Sequence, residues 1–111
     1  MKASWEKLID RYLRQRSSLQ GIFLVMDIRH PLQDFDQLIL DWASLSSLNC
    51  HILLTKADKF KFGRAKATLL QVQKQIKQYP LTSAQLFSST TDIGWDSARD
   101  TMLNWYSHRQ T

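Results

Sequence analysis

The chain has 111 residues, the usual size of one domain, and a formal net charge of +5. Its single cysteine excludes an internal disulfide framework, and no apolar run approaches the roughly 20 residues needed to span a bilayer. We therefore expect one soluble cytoplasmic domain over residues 1–111. We expect no membrane partner, and no secretion signal, because the first residues lack an apolar core.

Two apolar patterns alternate along the chain. Short unbroken apolar runs are typical of strands buried on both faces, whereas apolar residues three or four apart are typical of amphipathic helices. In chain order the predicted elements are a helix over 4–16, a strand over 22–26, a helix that Asp34 could cap, a strand over 52–54, a helix from Gly63 to Pro80, a strand over 84–87 and a helix over 95–106.

The helical patterns also predict which side chains face the core. In the helix that follows Asp34 they are Phe35, Leu38, Ile39, Trp42 and Leu45. In the helix that ends at Pro80 they are Leu69, Val72, Ile76 and Tyr79. In the last helix they are Trp95, Ala98, Met102, Trp105 and Tyr106.

The α-β-α-β-α-β-α order predicts an α/β fold of three parallel strands and four helices. Strands that alternate with helices are joined by crossovers, and these build a parallel sheet that the helices cover. Ligands of such sheets bind outside the carboxyl ends of the strands. These ends are the segments 27–30, 55–58 and 88–89, so we expect any binding site there.

A T-K-x-D motif follows the apolar run 52–54, with Thr55, Lys56, Ala57 and Asp58 at its four positions. The carboxylate of Asp58 can accept two hydrogen bonds from guanine, one from the ring N–H and one from the exocyclic amine, a donor pair that adenine lacks. The aliphatic stem of Lys56 can lie along the purine face while its ammonium reaches other acceptors. The motif therefore predicts a guanine site.

The segment 86–89, L-F-S-S, ends the next predicted strand. A backbone N–H in this segment can donate to the carbonyl oxygen of guanine, a position at which adenine carries an amine. The other interpretation is an ordinary strand-to-helix loop in which Ser88 and Ser89 cap turns.

Three segments resemble one family of GTP-binding proteins. The runs M-D-I-R-H-P-L at 26–32, L-L-T-K-A-D-K at 53–59 and F-S-S at 87–89 are similar to those of the bacterial EngB (YihA/YsxC) family, in the TrmE-Era-EngA-EngB-septin-like class of Ras-like GTPases. The resemblance implies the C-terminal half of a P-loop GTPase fold, and a cytoplasmic role in large ribosomal subunit assembly and division septation. It implies guanine-nucleotide contacts by Thr55, Lys56, Ala57, Asp58, Phe87, Ser88 and Ser89, with the backbone N–H donor at Ser89.

The 111 residues lack the phosphate-binding motifs of that family. Gly21, Gly63 and Gly94 are the only glycines, so no G-x-x-x-x-G-K-[ST] loop is present. The switch threonine and the D-x-P-G motif, which help to hold Mg²⁺ in the family, are also missing. We therefore expect a partial G domain without the N-terminal phosphate-binding half. It would contact GTP or GDP through the base alone and would not hydrolyse GTP by itself.

Two surfaces suggest partners. In the family the strand over 22–26 pairs with the strand before the phosphate loop, so we expect an open apolar edge here, and with it self-association or a complementing N-terminal half. Residues 59–79 carry six basic residues and no acidic one, which fits either a solvated helix face or contact with ribosomal RNA in the large subunit. The alternative function is a non-catalytic binding module that uses the basic 59–79 face for RNA or the sheet edge for a protein.

The segment that follows the first strand has charged residues of uncertain role. Arg29 and His30 either contact a switch segment or RNA, or make loop hydrogen bonds that fix the turn at Pro31. Asp27 is expected to bond local backbone groups.

Overall fold

A computed structural model describes residues 21–109, with side chains described as far as Trp105. The helix predicted over 4–16 lies outside the described residues. The described elements are β1 (Gly21–Asp27), α1 (Asp34–Leu45), β2 (Asn49–Thr55), α2 (Phe62–Gln75), β3 (Thr82–Leu86) and α3 (Trp95–Arg109), with single 3₁₀ turns at Ala57–Lys59 and Ile76–Gln78. The predicted order of strands and helices is confirmed across this range.

The three strands form one parallel sheet in the order β1-β2-β3. Gly21 of β1 is paired with Asn49 of β2, and Cys50 of β2 with Thr82 of β3. Residues 50–54 of the central strand are all buried, as the unbroken apolar run predicts. The sheet is parallel, so the carboxyl ends of all three strands lie at one edge.

Helices cover the sheet on both faces. One face packs its apolar side chains into a cluster with α1 and α2, which includes Leu24, Met26, Ile52, Leu54, Leu40 and Val72. On the other face Trp105 of α3 packs edge-to-face on Phe23, with ring centroids 5.3 Å apart. Among residues 21–109, no helix combines the length and apolar character that crossing a membrane requires.

The face of α1 that meets the sheet differs from the prediction. Asp36, Leu40 and Ala43 are buried. Three residues that were predicted to face inward are exposed: Leu38, Trp42 and Leu45. The prediction was wrong because the buried face includes the polar residue Asp36, whereas the apolar spacing predicts a face of apolar residues alone. Its carboxylate accepts the backbone N–H of Gln33 at 2.9 Å, so it can be buried with a partner at the helix start.

That contact also corrects the predicted start of α1. Gln33, not Asp34, is the N-cap residue, and Asp34 is the first residue of the helix. The prediction for α2 holds better, because Val72 and Ile76 are both buried.

A buried histidine connects β2 to the start of α3. The side-chain amide of Gln85 donates to the carbonyl oxygens of Leu86 at 3.0 Å and Gly94 at 2.7 Å, so its Oε1 is free to accept. His51 Nε2, 2.6 Å from that Oε1, must then be the donor, and Nδ1 accepts from the hydroxyl of Ser83 at 2.6 Å. The neutral imidazole satisfies every group in this chain of hydrogen bonds.

Gly94 permits this connection. Its φ is +84°, and a Cβ there would overlap the carbonyl oxygen of Leu86. Glycine therefore lets the loop after β3 pass close to the strand end.

We expect the His51 network to make stability depend on pH. Burial lowers the pKa of His51 below the ordinary 6.5, so the unfolded state binds more protons below that pH. The free energy of unfolding should be highest above pH 6.5. It should fall as the pH drops from 6.5 through the pKa of His51 in the folded state. Urea unfolding between about pH 7.5 and about pH 5 measures this fall.

His51→Gln should remove that fall, because glutamine stays neutral throughout the range. The matched control is His30→Gln, since His30 is exposed in the loop after β1. An unchanged pH slope in His51→Gln would contradict the assignment.

Candidate functional site

The T-K-x-D segment and the F-S-S segment lie side by side at the carboxyl edge of the sheet. Backbone hydrogen bonds continue past the ends of β2 and β3: Phe87 N–H donates to Leu54 C=O at 2.9 Å, and Ala57 N–H donates to Phe87 C=O at 3.1 Å. These two bonds fix the distance between the segments. The predicted positions of both at one sheet edge are confirmed.

Lys56 makes the turn from β2 into the site. Its φ is +59°, in the left-handed region, which costs a residue with a side chain roughly 1–2 kcal/mol. The 3₁₀ turn Ala57–Lys59 follows, closed by a bond from Lys59 N–H to Lys56 C=O at 2.9 Å. Ala57 is buried, and Lys56 and Asp58 on either side of it are exposed. The strained turn thus presents both side chains outward.

The carboxylate of Asp58 is held by a serine from the other segment. The buried hydroxyl of Ser88 donates to Asp58 Oδ1 at 2.8 Å, and the hydroxyl of Thr90 lies 3.4 Å from Oδ2. The Ser88 hydrogen bond is the main reason that the pKa of Asp58 lies below its ordinary value. Asp58 is therefore ionised at neutral pH, and each oxygen keeps a further lone pair for a ligand.

The F-S-S segment is braced from behind. Ser88 N–H donates to Ile93 C=O at 2.9 Å, and the indole of Trp95 donates to Ser88 C=O at 3.2 Å. The Trp95 ring also packs on Phe87, with ring centroids 4.9 Å apart. Ser89 is exposed, and its N–H has no hydrogen-bond partner among residues 21–109, so it is the backbone donor in this segment that a ligand can use.

A second ionic cluster lies at the end of β1. The guanidinium of Arg29 donates to both oxygens of Asp27, at 3.0 Å and 2.7 Å, and the backbone N–H of Arg29 adds a third bond at 2.9 Å. These bonds, chiefly the side-chain one, hold the pKa of Asp27 well below its usual range. The expected role of Asp27 in bonding local backbone is confirmed, and Arg29 is held in the loop by the same contacts.

Lys56 joins the two clusters. Its ammonium lies 3.6 Å from Asp27 Oδ2, so the side chain extends from the end of β2 toward the end of β1. Sequence reasoning missed this contact, although an acid and a base at neighbouring parallel strand ends were a signal that could have found it. The ion pair gives the lysine stem a preferred direction toward the end of β1.

The remaining predicted site residues have structural contacts. The hydroxyl of Thr55 donates to Met26 C=O at 3.0 Å, which ties β2 to β1. Phe87 packs on Trp95, and Trp95 is half exposed rather than part of the core as predicted. Within the described part of the chain, no group of three or more His, Cys, Asp or Glu side chains could hold a metal ion.

We expect Ser88→Ala to raise the pKa of Asp58 toward that of an ordinary aspartate, because the shortest hydrogen bond to the ionised carboxylate is lost. An NMR titration of the side-chain carboxyl carbon measures the change. Thr90→Ala is the matched control and should have a smaller effect, since its contact is 3.4 Å long. Equal pKa values in the wild-type protein and Ser88→Ala would show that Ser88 does not hold the charge.

Comparison with protein families adds no assignment, because the chain matches no family model. Two features therefore define the candidate site on their own. These are an ionised, exposed carboxylate at Asp58 and an exposed backbone donor at Ser89 on the neighbouring segment.

Proposed function

We propose that the strand-end site binds the base of a guanine nucleotide. The observation that carries the proposal is the contact between Asp58 and Ser88, which holds an ionised carboxylate outward at the carboxyl edge of a parallel sheet. Guanine offers two neighbouring donors, the ring N–H and the exocyclic amine, that match the two oxygens of one carboxylate. Adenine has an unprotonated ring nitrogen at the first of these positions, so it would leave Asp58 partly unpaired.

Lys56 and Ser89 supply the other two recognition elements. The ammonium of Lys56 is drawn toward Asp27, which leaves the aliphatic stem available to cover one face of the purine. The free N–H of Ser89 can donate to the carbonyl oxygen of guanine, whereas the amine of adenine would oppose it. The three contacts together favour guanine over adenine by hydrogen-bond complementarity.

The family that we propose is the EngB type of Ras-like GTP-binding protein. The resemblance at 26–32, 53–59 and 87–89 supports it, and so does the position of the last two segments at the ends of adjacent parallel strands. By the same resemblance we place the protein in large ribosomal subunit assembly and division septation.

Base contacts alone set the expected affinity. The 111 residues contain no G-x-x-x-x-G-K-[ST] loop to hold phosphates, so the chain by itself would bind GTP or GDP without hydrolysing it. At roughly 0.3 kcal/mol for each of about 11 heavy atoms, guanine contributes near 3 kcal/mol. That corresponds to a dissociation constant in the millimolar range.

One observation favours RNA binding as a second candidate function. The six cations of residues 59–79 are all exposed, and none forms an ion pair with a described residue: Lys59, Lys61, Arg64, Lys66, Lys74 and Lys77. Arg64 lies over the ring of Phe60, with 3.9 Å from Cζ to the ring centroid. Such a surface could meet RNA phosphates, and its binding would weaken steeply with salt.

Asp58→Ala should weaken guanine binding roughly tenfold or more, since a hydrogen bond to a charged group contributes about 1.5–3 kcal/mol. Saturation-transfer NMR with GMP, and with AMP as the adenine comparison, can measure millimolar binding. Asp100→Ala is the matched control, because Asp100 is an exposed acid on α3 more than one turn beyond Trp95, which contacts Ser88.

Three results would count against the guanine proposal: equal binding of GMP and AMP, no binding of either, or GMP binding that Asp58→Ala leaves intact. RNA binding that falls steeply with salt and ignores Asp58→Ala would favour the second candidate.

Ser89→Pro should also weaken GMP binding, because proline has no N–H to donate. Ser89→Ala is the control and should bind GMP normally, since the proposed contact uses the backbone and not the hydroxyl. Circular dichroism and thermal unfolding would verify that both variants fold. Loss of binding in Ser89→Ala would argue against the backbone contact.

A further inference from the structure

Strand β1 has an open edge among the described residues, where it pairs only with β2. The backbone N–H of Ile28 donates to Thr55 C=O, so Ile28 faces β2. The direction of the backbone N–H and C=O groups alternates from residue to residue along a strand. The backbone groups of Leu24 and Met26 therefore also point toward β2. Phe23 and Val25 then direct their backbone N–H and C=O groups to the open edge.

The side chains along this edge are apolar and only partly covered. Val25 is 60% exposed and Phe23 is 37% exposed, although both belong to an unbroken apolar run. Trp105 packs on Phe23 from above the sheet. No charge or proline lies between Gly21 and Met26, whereas natural edge strands commonly use such residues to prevent pairing.

The opposite edge of the sheet is protected. Strand β3 is two residues shorter than β1, carries Thr82, Ser83 and Gln85, and follows directly after Pro80-Leu81. Short polar strands recruit other strands poorly. Of the two edges, β1 is the one suited to pairing.

We infer that β1 is the interface of a symmetric dimer, in which the β1 strands of two copies of this chain pair antiparallel to give a continuous six-stranded sheet. The occupant that fits this edge is a second copy, because the strand G-I-F-L-V-M-D is complementary to its own reverse. A two-fold axis at Leu24 places Phe23 opposite Val25 of the other copy, twice. Aromatic and β-branched residues form favourable cross-strand pairs.

The same register also accommodates the charged side chain of Asp27 at the end of the strand. It places Asp27 opposite Gly21 of the second copy, which has no side chain to clash with the Asp27–Arg29 pair. Ile22 lies opposite Met26, so the face that α1 and α2 cover remains apolar across the interface. An isologous contact of this kind closes at two copies and does not continue into a fibre.

The proposed interface is small. One pair of seven-residue strands buries less than the roughly 800 Å² per partner of a standard stable interface. We therefore expect a dissociation constant in the micromolar range rather than the nanomolar range. The dimer does not involve Asp58 or Ser89, so it stands or falls independently of the guanine proposal.

Analytical ultracentrifugation from about 1 μM to about 200 μM tests the dimer. The wild-type chain should pass from monomer to dimer without larger species. Val25→Lys should raise the dissociation constant about tenfold or more, because it brings a charge to the apolar edge on each copy. The control is Leu70→Lys, a similarly exposed leucine on α2, and it should leave the dimer unchanged.

Cysteine cross-linking tests the register without relying on Val25→Lys. A mixture of Phe23→Cys and Val25→Cys chains should form a disulfide between the two kinds of chain. Neither variant should form a disulfide by itself, because the same position in the two copies is about 7–8 Å apart in this register. The native Cys50 will not compete, since it is fully buried and burial raises its thiol pKa to about 12.

Three results would overturn the inference. They are a monomer at every concentration, a dimer that Val25→Lys leaves unchanged, and a disulfide that forms as readily within one kind of chain as between the two.

Discussion

The parallel pairing of β2 with both of its neighbours is the constraint on which the other features depend. Residues 50–54 are buried, and hydrogen bonds on both sides leave the strand no other register. A shift by one residue would exchange Ile52 and Leu54 with His51 and Leu53 between the two faces of the sheet. The fixed register sets the ends of three strands at one edge, and it is there that Asp27, Lys56 and Ser88 meet. The site is thus a consequence of the sheet and needs no long-range loop.

The charged side chains at that edge are held by contacts between two loops rather than within a single motif. The buried hydroxyl of Ser88 holds one oxygen of Asp58 in place and lowers the pKa of the carboxyl group. Ser88 is in turn held by the backbone of Ile93 and by the indole of Trp95. Lys56 has a comparable anchor in Asp27, which Arg29 holds in place. Asp58 and Lys56 are therefore each supported by a residue from another strand end, which limits the positions that their side chains can take.

The sequence predicted the strands well because an unbroken apolar run has few alternatives once it is too short to be a helix. It also predicted that Asp58 and Ser88 would lie on adjacent loops, since parallel strands share an edge. It failed where a polar side chain is buried with a partner: Asp36 faces inward because it caps the start of α1. The left-handed backbone of Lys56 was beyond the reach of the apolar pattern, and its ion pair with Asp27 was missed although the two residues end neighbouring predicted strands.

The carboxyl ends of β2 and β3 and the open edge of β1 differ in the groups that they leave exposed. At the carboxyl ends of β2 and β3 the exposed groups include the charged side chains of Lys56 and Asp58. Along β1 they are apolar and backbone groups, which no small polar ligand can satisfy but which another strand can. The chain's own side chains cover Phe23 only in part. Trp105 and His51 contact its ring, yet more than a third of the residue is exposed to water. An apolar strand in such a position is unfavourable in a monomer, and pairing removes that cost with Asp58 outside the interface.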